Sequence, residues 1–204
     1  MLQDKIAIVT GAASGIGYAV AQALCQEKAQ VVMVDVNEPL LAEAAHALGG
    51  IPLVANLTRR EDCRRVVEFT AEKYGRVDIL ANVAGVQHVC PIEDFPEDKW
   101  DFIISLMLTA PFLLTRYCWP YMKENGWGRI INMSSITCDY GRQRLATYAS
   151  TKGFVRLFSR SLHIELKSQG VNVICVRPGA VATPLYNLNP TLQKIGLTLG
   201  FIIT

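Results

Sequence analysis

The sequence predicts an α/β domain: a doubly wound parallel sheet with helices on both faces. Three observations carry that expectation. Short β-branched runs alternate with longer helical patterns, the strand candidates are apolar on both faces, and a glycine-rich turn joins the first strand to the first helix. At 204 residues, 50% of them hydrophobic, the chain fits one domain over 1–204 with a sizeable core.

The elements follow in order: strand "KIAIVT", helix from Gly15, strand "QVVMV", helix from Pro39, strand "IPLVA" and helix from Thr58. Then come "DILAN", a helix from near Lys99 to Cys118, "GRIINM", a helix from near Thr147 to Gln169, and "VNVICV". Local punctuation agrees. Thr58-Arg59-Arg60-Glu61 has the form of a capping box, Asn37 can cap the helix that opens at Pro39, and Gly49, Gly75 and Gly170 fall where helices should end.

Composition removes several function classes. A net charge of +2 with mixed signs gives no basic footprint for nucleic acid. The cysteines at 25, 63, 90, 118, 138 and 175 form no CxxC pair, so no metal site is expected, and reduced thiols fit a cytoplasmic protein. Only five residues precede "IAIVTG", too few for an export signal. The longest apolar run, "FIISLMLTAPFLL", is too short to span a membrane and reads as a core or interface helix.

The turn "TGAASGIG" is the first motif with chemistry in it. Gly11 permits a tight turn, Gly15 lets the backbone approach a pyrophosphate, Gly17 permits close helix–sheet packing, and the helix N-terminus favours phosphate charge. Ser14 and Ile16 belong to the same cradle. Asp35 closes "VVMVD", where a carboxylate accepts hydrogen bonds from ribose hydroxyls and repels a 2′-phosphate. Val36, Asn37, Ala13 and Ser14 bring no compensating charge, so NAD is expected rather than NADP. The alternative is a surface Asp that merely ends a strand. In "TYASTKG", Tyr148 and Lys152 stand four apart and share a helix face, where an ammonium favours the phenolate of its neighbour.

With "TGAASGIG", "ANVAG", "INMSS", "YASTK" and "RPGAVATP" in this order and spacing, the chain resembles the short-chain dehydrogenase/reductase family along nearly its whole length. The fold this implies is Rossmann-like. The resemblance implies Tyr148 as catalytic acid/base, Lys152 as the residue that lowers its pKa and binds the nicotinamide ribose, and Ser135 as the hydroxyl that orients substrate. It further implies cofactor contacts from Asn56 and Leu57 near adenine, Asn82, Ala84 and Gly85 after the fourth strand, and Pro178, Gly179 and Thr183 beside the nicotinamide. At Asn56 the family usually has an aspartate; the amide still offers an acceptor.

The family's helix asparagine is replaced by Met107, whose thioether donates no hydrogen bond. Around it, "GVQHVCPIEDFPEDKWDFII" is most similar to the 3-hydroxybutyrate dehydrogenase branch, which implies Gln87 as a contact to substrate carboxylate. Two anchors of that branch are replaced by Thr137 and Leu145, and Arg142 and Arg144 are the nearby substitutes. His88 reads as a loop residue at the pocket edge. The resemblance implies a homodimer or homotetramer acting on a small-molecule substrate, a secondary alcohol or its ketone such as 3-hydroxybutyrate. A sugar-alcohol dehydrogenase, a 3-oxoacyl carrier-protein reductase and a catalytically impaired nucleotide-binding partner protein are the alternatives. The family usually continues through a further helix and a seventh strand, so a C-terminally short form, lacking that strand and with an exposed sheet edge, is also expected.

Overall fold

The run IAIVT is buried at every position, which suits the centre of a parallel sheet and not its edge. The computed structural model describes residues 2–181 and 202–203. In it β1 (Ile6–Thr10) lies between β2 (Gln30–Asp35) and β4 (Ile79–Asn82), and β3 (Ile51–Val54), β5 (Gly128–Met133) and β6 (Val171–Val176) extend the sheet outward. Every pairing is parallel, in the order β3-β2-β1-β4-β5-β6. The winding reverses between β1 and β4, and the crevice beyond their carboxyl ends is where such sheets bind ligands. A separate short pair joins β7 (Ala180–Val181) to β8 (Ile202–Ile203).

The two sheet faces bury alternate residues of each strand. On one, Ala7, Val9, Val31, Met33 and Ile79 meet α1 (Gly15–Gln26) and α2 (Glu38–Leu48). On the other, Ile8, Val32, Leu80, Ile130 and Val173 meet α3 (Arg60–Tyr74), α5 (Ala110–Glu124) and α6 (Ala146–Leu166). On β6 the opposite face is open, with Ile174 and Val176 47% and 37% exposed. Asp78 is fully buried before β4, where its carboxylate accepts from Ile6 N–H at 2.9 Å and from the Arg76 guanidinium at 2.9 and 2.6 Å. That clamp sets the start of β1 against β4.

Of the caps read from the sequence, all but one form. Asn37 Oδ1 accepts from Leu40 N–H at 3.2 Å, and Gly49, Gly75 and Gly170 take the left-handed conformation. The capping box at Thr58 does not form. Thr58 turns back, its N–H and hydroxyl both donating to Asn56 Oδ1 at 3.1 and 2.8 Å, so α3 begins at Arg60 without a side-chain cap.

The single helix expected over 99–118 is longer and has a defect. Here α4 (Glu97–Ile104) passes through a π-helical turn, Ser105–Thr109, into α5. Pro111 has no N–H to give the preceding turn, and Ala110 N–H bonds to Ser105 O five residues back. The resulting 28-residue helix is long and apolar enough to cross a membrane by length and composition. In the fold its Ala110, Leu113, Leu114, Cys118 and Met122 are buried in the sheet core.

Two thiols in that core give the fold an alkaline weakness. Burial pushes Cys63 from an ordinary 9.0 up to about 11, and Cys118 further still. Above pH 9 the unfolded chain gives up thiol protons that the native state keeps. The stabilisation is therefore full below pH 9 and declines above it by about 1.4 kcal/mol per pH unit for each thiol. Urea unfolding from pH 8 to 11 should show this decline, and replacing Cys63 and Cys118 by Ala should make it shallower. An unchanged slope would contradict the assignment.

Candidate active site

The glycine turn stands at the carboxyl end of β1, inside the crevice. Gly11 has φ +68°, and a Cβ there would lie 3.0 Å from Ala84 Cα, so the loop after β4 rests directly on the turn. A Cβ on Gly17 would sit 2.0 Å from Gly11 O, which fixes how closely α1 approaches the turn. Ser14 is the N-cap of α1, but its hydroxyl makes no capping bond, and no acidic side chain occupies the first turn. The N–H groups of the first turn of α1 are therefore left without a side-chain cap or a neighbouring acid, as an anion-binding helix N-terminus requires.

Asp35 closes β2 beside this turn and does more than the sequence suggests. Its Oδ2 accepts from Ala13 N–H at 3.1 Å, and Oδ1 accepts from Val36 N–H and Asn37 N–H at 2.8 and 3.1 Å. The carboxylate thus holds the glycine turn to the end of β2. Asn56 departs from expectation. Its Oδ1 is taken by both Thr58 donors, so the acceptor reserved for adenine is spent and any contact falls to Nδ2. Leu57 faces inward: its side chain joins the core, and its carbonyl accepts from Cys63 Sγ at 3.4 Å.

The loop after β4 is tied to β1 by Thr10, whose Oγ1 accepts from Val83 and Ala84 N–H at 3.0 and 3.1 Å. Ala84 and Gly85 thereby form the crevice wall. Asn82 does not join them, because its side chain turns down into the sheet, where Nδ2 donates to Asn132 Oδ1 at 2.8 Å.

On the far wall the trio comes together. Ser135 leaves β5 as the N-cap of a short 3₁₀ turn, Ile136–Cys138, and its Oγ accepts from Thr137 N–H at 3.3 Å. Tyr148 and Lys152 share a face of α6, the ammonium 5.5 Å from the phenol ring centroid. Ser134 secures this helix, its hydroxyl donating to Lys152 O at 2.8 Å, while Lys152 Nζ donates to Met133 O at 2.8 Å. Burial pushes the Tyr148 phenol up, against the pull of the Ser135 hydroxyl. Burial also brings Lys152 from 10.5 down to about 8, with Cys175 opposing the shift. At neutral pH the ammonium stays charged.

The remaining expected residues ring this centre. Pro178 O accepts from Ile136 N–H at 3.1 Å, and a Cβ on Gly179 would lie 4.0 Å from Ile136 Cδ1, so this segment runs beside the serine turn. Thr183 lies outside the described residues. Gln87 is half-buried on the loop after β4, and His88 packs edge-on against Phe95 at 5.2 Å. Cys90 N–H donates to Arg144 O at 3.2 Å, which ties that loop to the turn carrying Arg142, whose guanidinium lies 5.4 Å from the Tyr140 ring. Met107 is buried in the π turn below. One feature had no sequence signal: Asp139 after the serine turn pairs with Arg156 of α6 and with Arg177 at 2.6 Å. Such pairs join residues far apart in the chain.

A glycine turn between β1 and α1, a carboxylate at the end of β2 and Ser135, Tyr148 and Lys152 gathered on one parallel sheet are the arrangement of a nicotinamide-dinucleotide oxidoreductase. The family model for short chain dehydrogenase matches residues 5–192, and the chain belongs to that family. It is 36% identical to D-beta-hydroxybutyrate dehydrogenase of Cupriavidus necator over 204 residues, covering 97% of this chain and 79% of that protein. It is 35% identical to the 3-oxoacyl-[acyl-carrier-protein] reductase FabG of Thermotoga maritima, over 90% of this chain and 77% of the relative. A crystal structure of 3-ketoacyl-(acyl-carrier-protein) reductase from Brucella melitensis complexed with NADH superimposes with a TM-score of 0.90 at 31% identity, covering 95% of this chain and 83% of that one.

Proposed function

We propose that this enzyme is an NAD-dependent dehydrogenase interconverting a secondary alcohol and its ketone, with a small hydroxy acid such as 3-hydroxybutyrate as substrate. The carrying observation is the Ser135 turn set against Tyr148 and Lys152 on α6, across the crevice from Gly11 and Asp35. When bound, the dinucleotide supplies the hydride acceptor or donor. Tyr148 Oη takes the alcohol proton in one direction and returns it in the other, Ser135 Oγ orients the reacting oxygen, and Lys152 favours the phenolate by charge. Gln87 and Arg142 are the groups offered to a substrate carboxylate.

Asp35 supports NAD over NADP. The unmodified chain should bind NAD at least tenfold more tightly, as followed by reduced-cofactor fluorescence, since a carboxylate against a 2′-phosphate costs on the order of a few kcal/mol. Asp35→Asn keeps an acceptor for the loop and removes the charge, so it should narrow the gap. Asp35→Ala should also weaken NAD by loosening Ala13. Equal affinity of the unmodified chain for the two dinucleotides refutes the reading. Asp35 likewise disfavours an NADP-linked 3-oxoacyl reductase.

The partner we propose is a second copy of the chain. Trp100, Phe102, Phe112, Phe154, Leu157 and Ile164 leave an apolar surface exposed on α4, α5 and α6, with Phe154 stacked on Phe158 at 5.4 Å. Six free thiols suit the reducing cytoplasm. An absorbance screen at 340 nm over hydroxy acids, polyols and 3-oxoacyl thioesters tests the substrate. Turnover confined to thioesters, or to polyols, would overturn the hydroxy-acid assignment.

A further inference from the structure

Ser135 stands on a turn that holds itself only weakly. The 3₁₀ turn Ile136–Cys138 has three residues, and its own bonds are Cys138 N–H to Ser135 O at 3.1 Å, Asp139 N–H to Ile136 O at 3.2 Å and Thr137 N–H to Ser135 Oγ at 3.3 Å. Neighbouring elements grip its start. Ser134 N–H donates to Val176 O at 2.8 Å, its hydroxyl donates to Lys152 O, and Ile136 N–H donates to Pro178 O at 3.1 Å. Past the turn the chain runs out through Tyr140, Gly141, Gln143 and Arg144, all exposed.

The far end of the turn is held by Asp139. Its Oδ1 accepts from Arg156 Nη1, and its Oδ2 accepts from Arg177 Nη1 at 2.6 Å. Tyr148, Lys152 and Arg156 follow one another at helical spacing on α6, so the clamp closes on the face that carries the catalytic pair. Arg177 directly precedes Pro178, and these two adjacent residues grip opposite ends of the turn. Neither arginine has a second acidic partner among the described residues. A carboxylate shared by two guanidinium groups is a charge-assisted junction, stronger and more directional than a neutral bond. The three side chains are 35–46% exposed, so screening leaves the clamp little weight in overall stability and its effect is local.

We propose that Asp139 is the positioning residue of Ser135: by tying the far end of the serine turn to Arg156 on α6 and to Arg177 after β6, it fixes the Ser135 hydroxyl against the Tyr148 phenol. The consequence for turnover rests on the reading of Ser135 and Tyr148 given above; the clamp itself belongs to the protein alone. The phenol reports the position of the turn, because the Ser135 hydroxyl pulls it down while Lys152, the charge facing it from its own helix, stays in place.

The test follows the Tyr148 titration by ¹³Cζ NMR on the full chain with labelled tyrosine and no dinucleotide, assigning the signal with Tyr148→Phe. Asp139→Ala should raise the midpoint, because the released turn carries the Ser135 hydroxyl away from the phenol. Charge alone predicts the opposite sign, since a lost carboxylate and two unpaired guanidinium groups would favour the phenolate. Asp139→Glu keeps both ion pairs and should return the midpoint toward that of the unmodified chain. In turnover Asp139→Ala should lower kcat about tenfold through the misplaced hydroxyl and leave dinucleotide affinity within about twofold, as Gly11 and Asp35 lie across the crevice. A midpoint that stays or falls in Asp139→Ala overturns the proposal, and so does an Asp139→Glu variant that behaves like Asp139→Ala. If Asp139→Ala does not fold, Asp139→Asn decides alone, and a midpoint that fails to rise overturns it. Should the midpoint rise and Asp139→Glu restore it while kcat is unchanged, the catalytic reading of Ser135 falls and its positioning by Asp139 stands.

Discussion

Tyr148→Phe lowers turnover by at least about 10³-fold and leaves dinucleotide affinity within about threefold. The substitution removes one oxygen and keeps the ring, so what is lost is the group that holds the transferred proton, and acid–base groups of this kind contribute about 10²–10⁴-fold. The upper part of that range applies because no second proton carrier stands ready among the described residues: His88 is engaged edge-on with Phe95, and Ser135 ionises too weakly to replace a phenol. Single-turnover absorbance measures the loss and fluorescence titration measures the binding. A variant that keeps a tenth of its activity would move the acid/base role to another residue.

Gly17→Ala breaks the cofactor cradle and the fold together. The added methyl would meet backbone, 2.0 Å from Gly11 O, 2.6 Å from Gly11 C and 3.2 Å from Ala12 N, so α1 must retreat from the turn. Neither side can yield by a rotamer change, and the expected loss of stability is about 2–3 kcal/mol. Dinucleotide affinity should fall by about 10–100-fold, since the N–H groups of the first turn move with the helix. Gly49→Ala is the contrasting control: Gly49, unlike Gly17, has a positive φ, and nothing lies within 4 Å of an added Cβ. It should cost about 1 kcal/mol and leave binding unchanged. If Gly17→Ala costs no more than Gly49→Ala and leaves binding unchanged, the close approach of α1 to the turn is not what requires Gly17.

Both predictions depend on residues recognisable from the chain alone, and the reason is physical. β1 is apolar on both faces because both are covered, so its place at the sheet centre could be read from IAIVT. The glycine turn, Asp35 and the Tyr148–Lys152 spacing are local requirements of a turn, a strand end and a helix face, and local requirements leave their mark in adjacent residues. The same held for the caps at Asn37, Gly49 and Gly75. It did not hold at Thr58, because two arrangements compete there for one hydroxyl and only the folded loop shows that Asn56 wins.

What the tertiary structure alone decided was where side chains turn once distant segments meet. Asn82 sits in a motif that reads as cofactor wall, but the approach of Asn132, fifty residues later in the chain, draws it into the sheet. Asn56 loses its acceptor to Thr58, and Leu57 is claimed by the core. The Asp139 clamp joins α6 to the end of β6, and burial raises the Tyr148 phenol in the protein alone. Residue type and spacing determine which groups are present and which face of an element they occupy. Their partners, their desolvation and hence their charge depend on through-space contacts that no local pattern encodes.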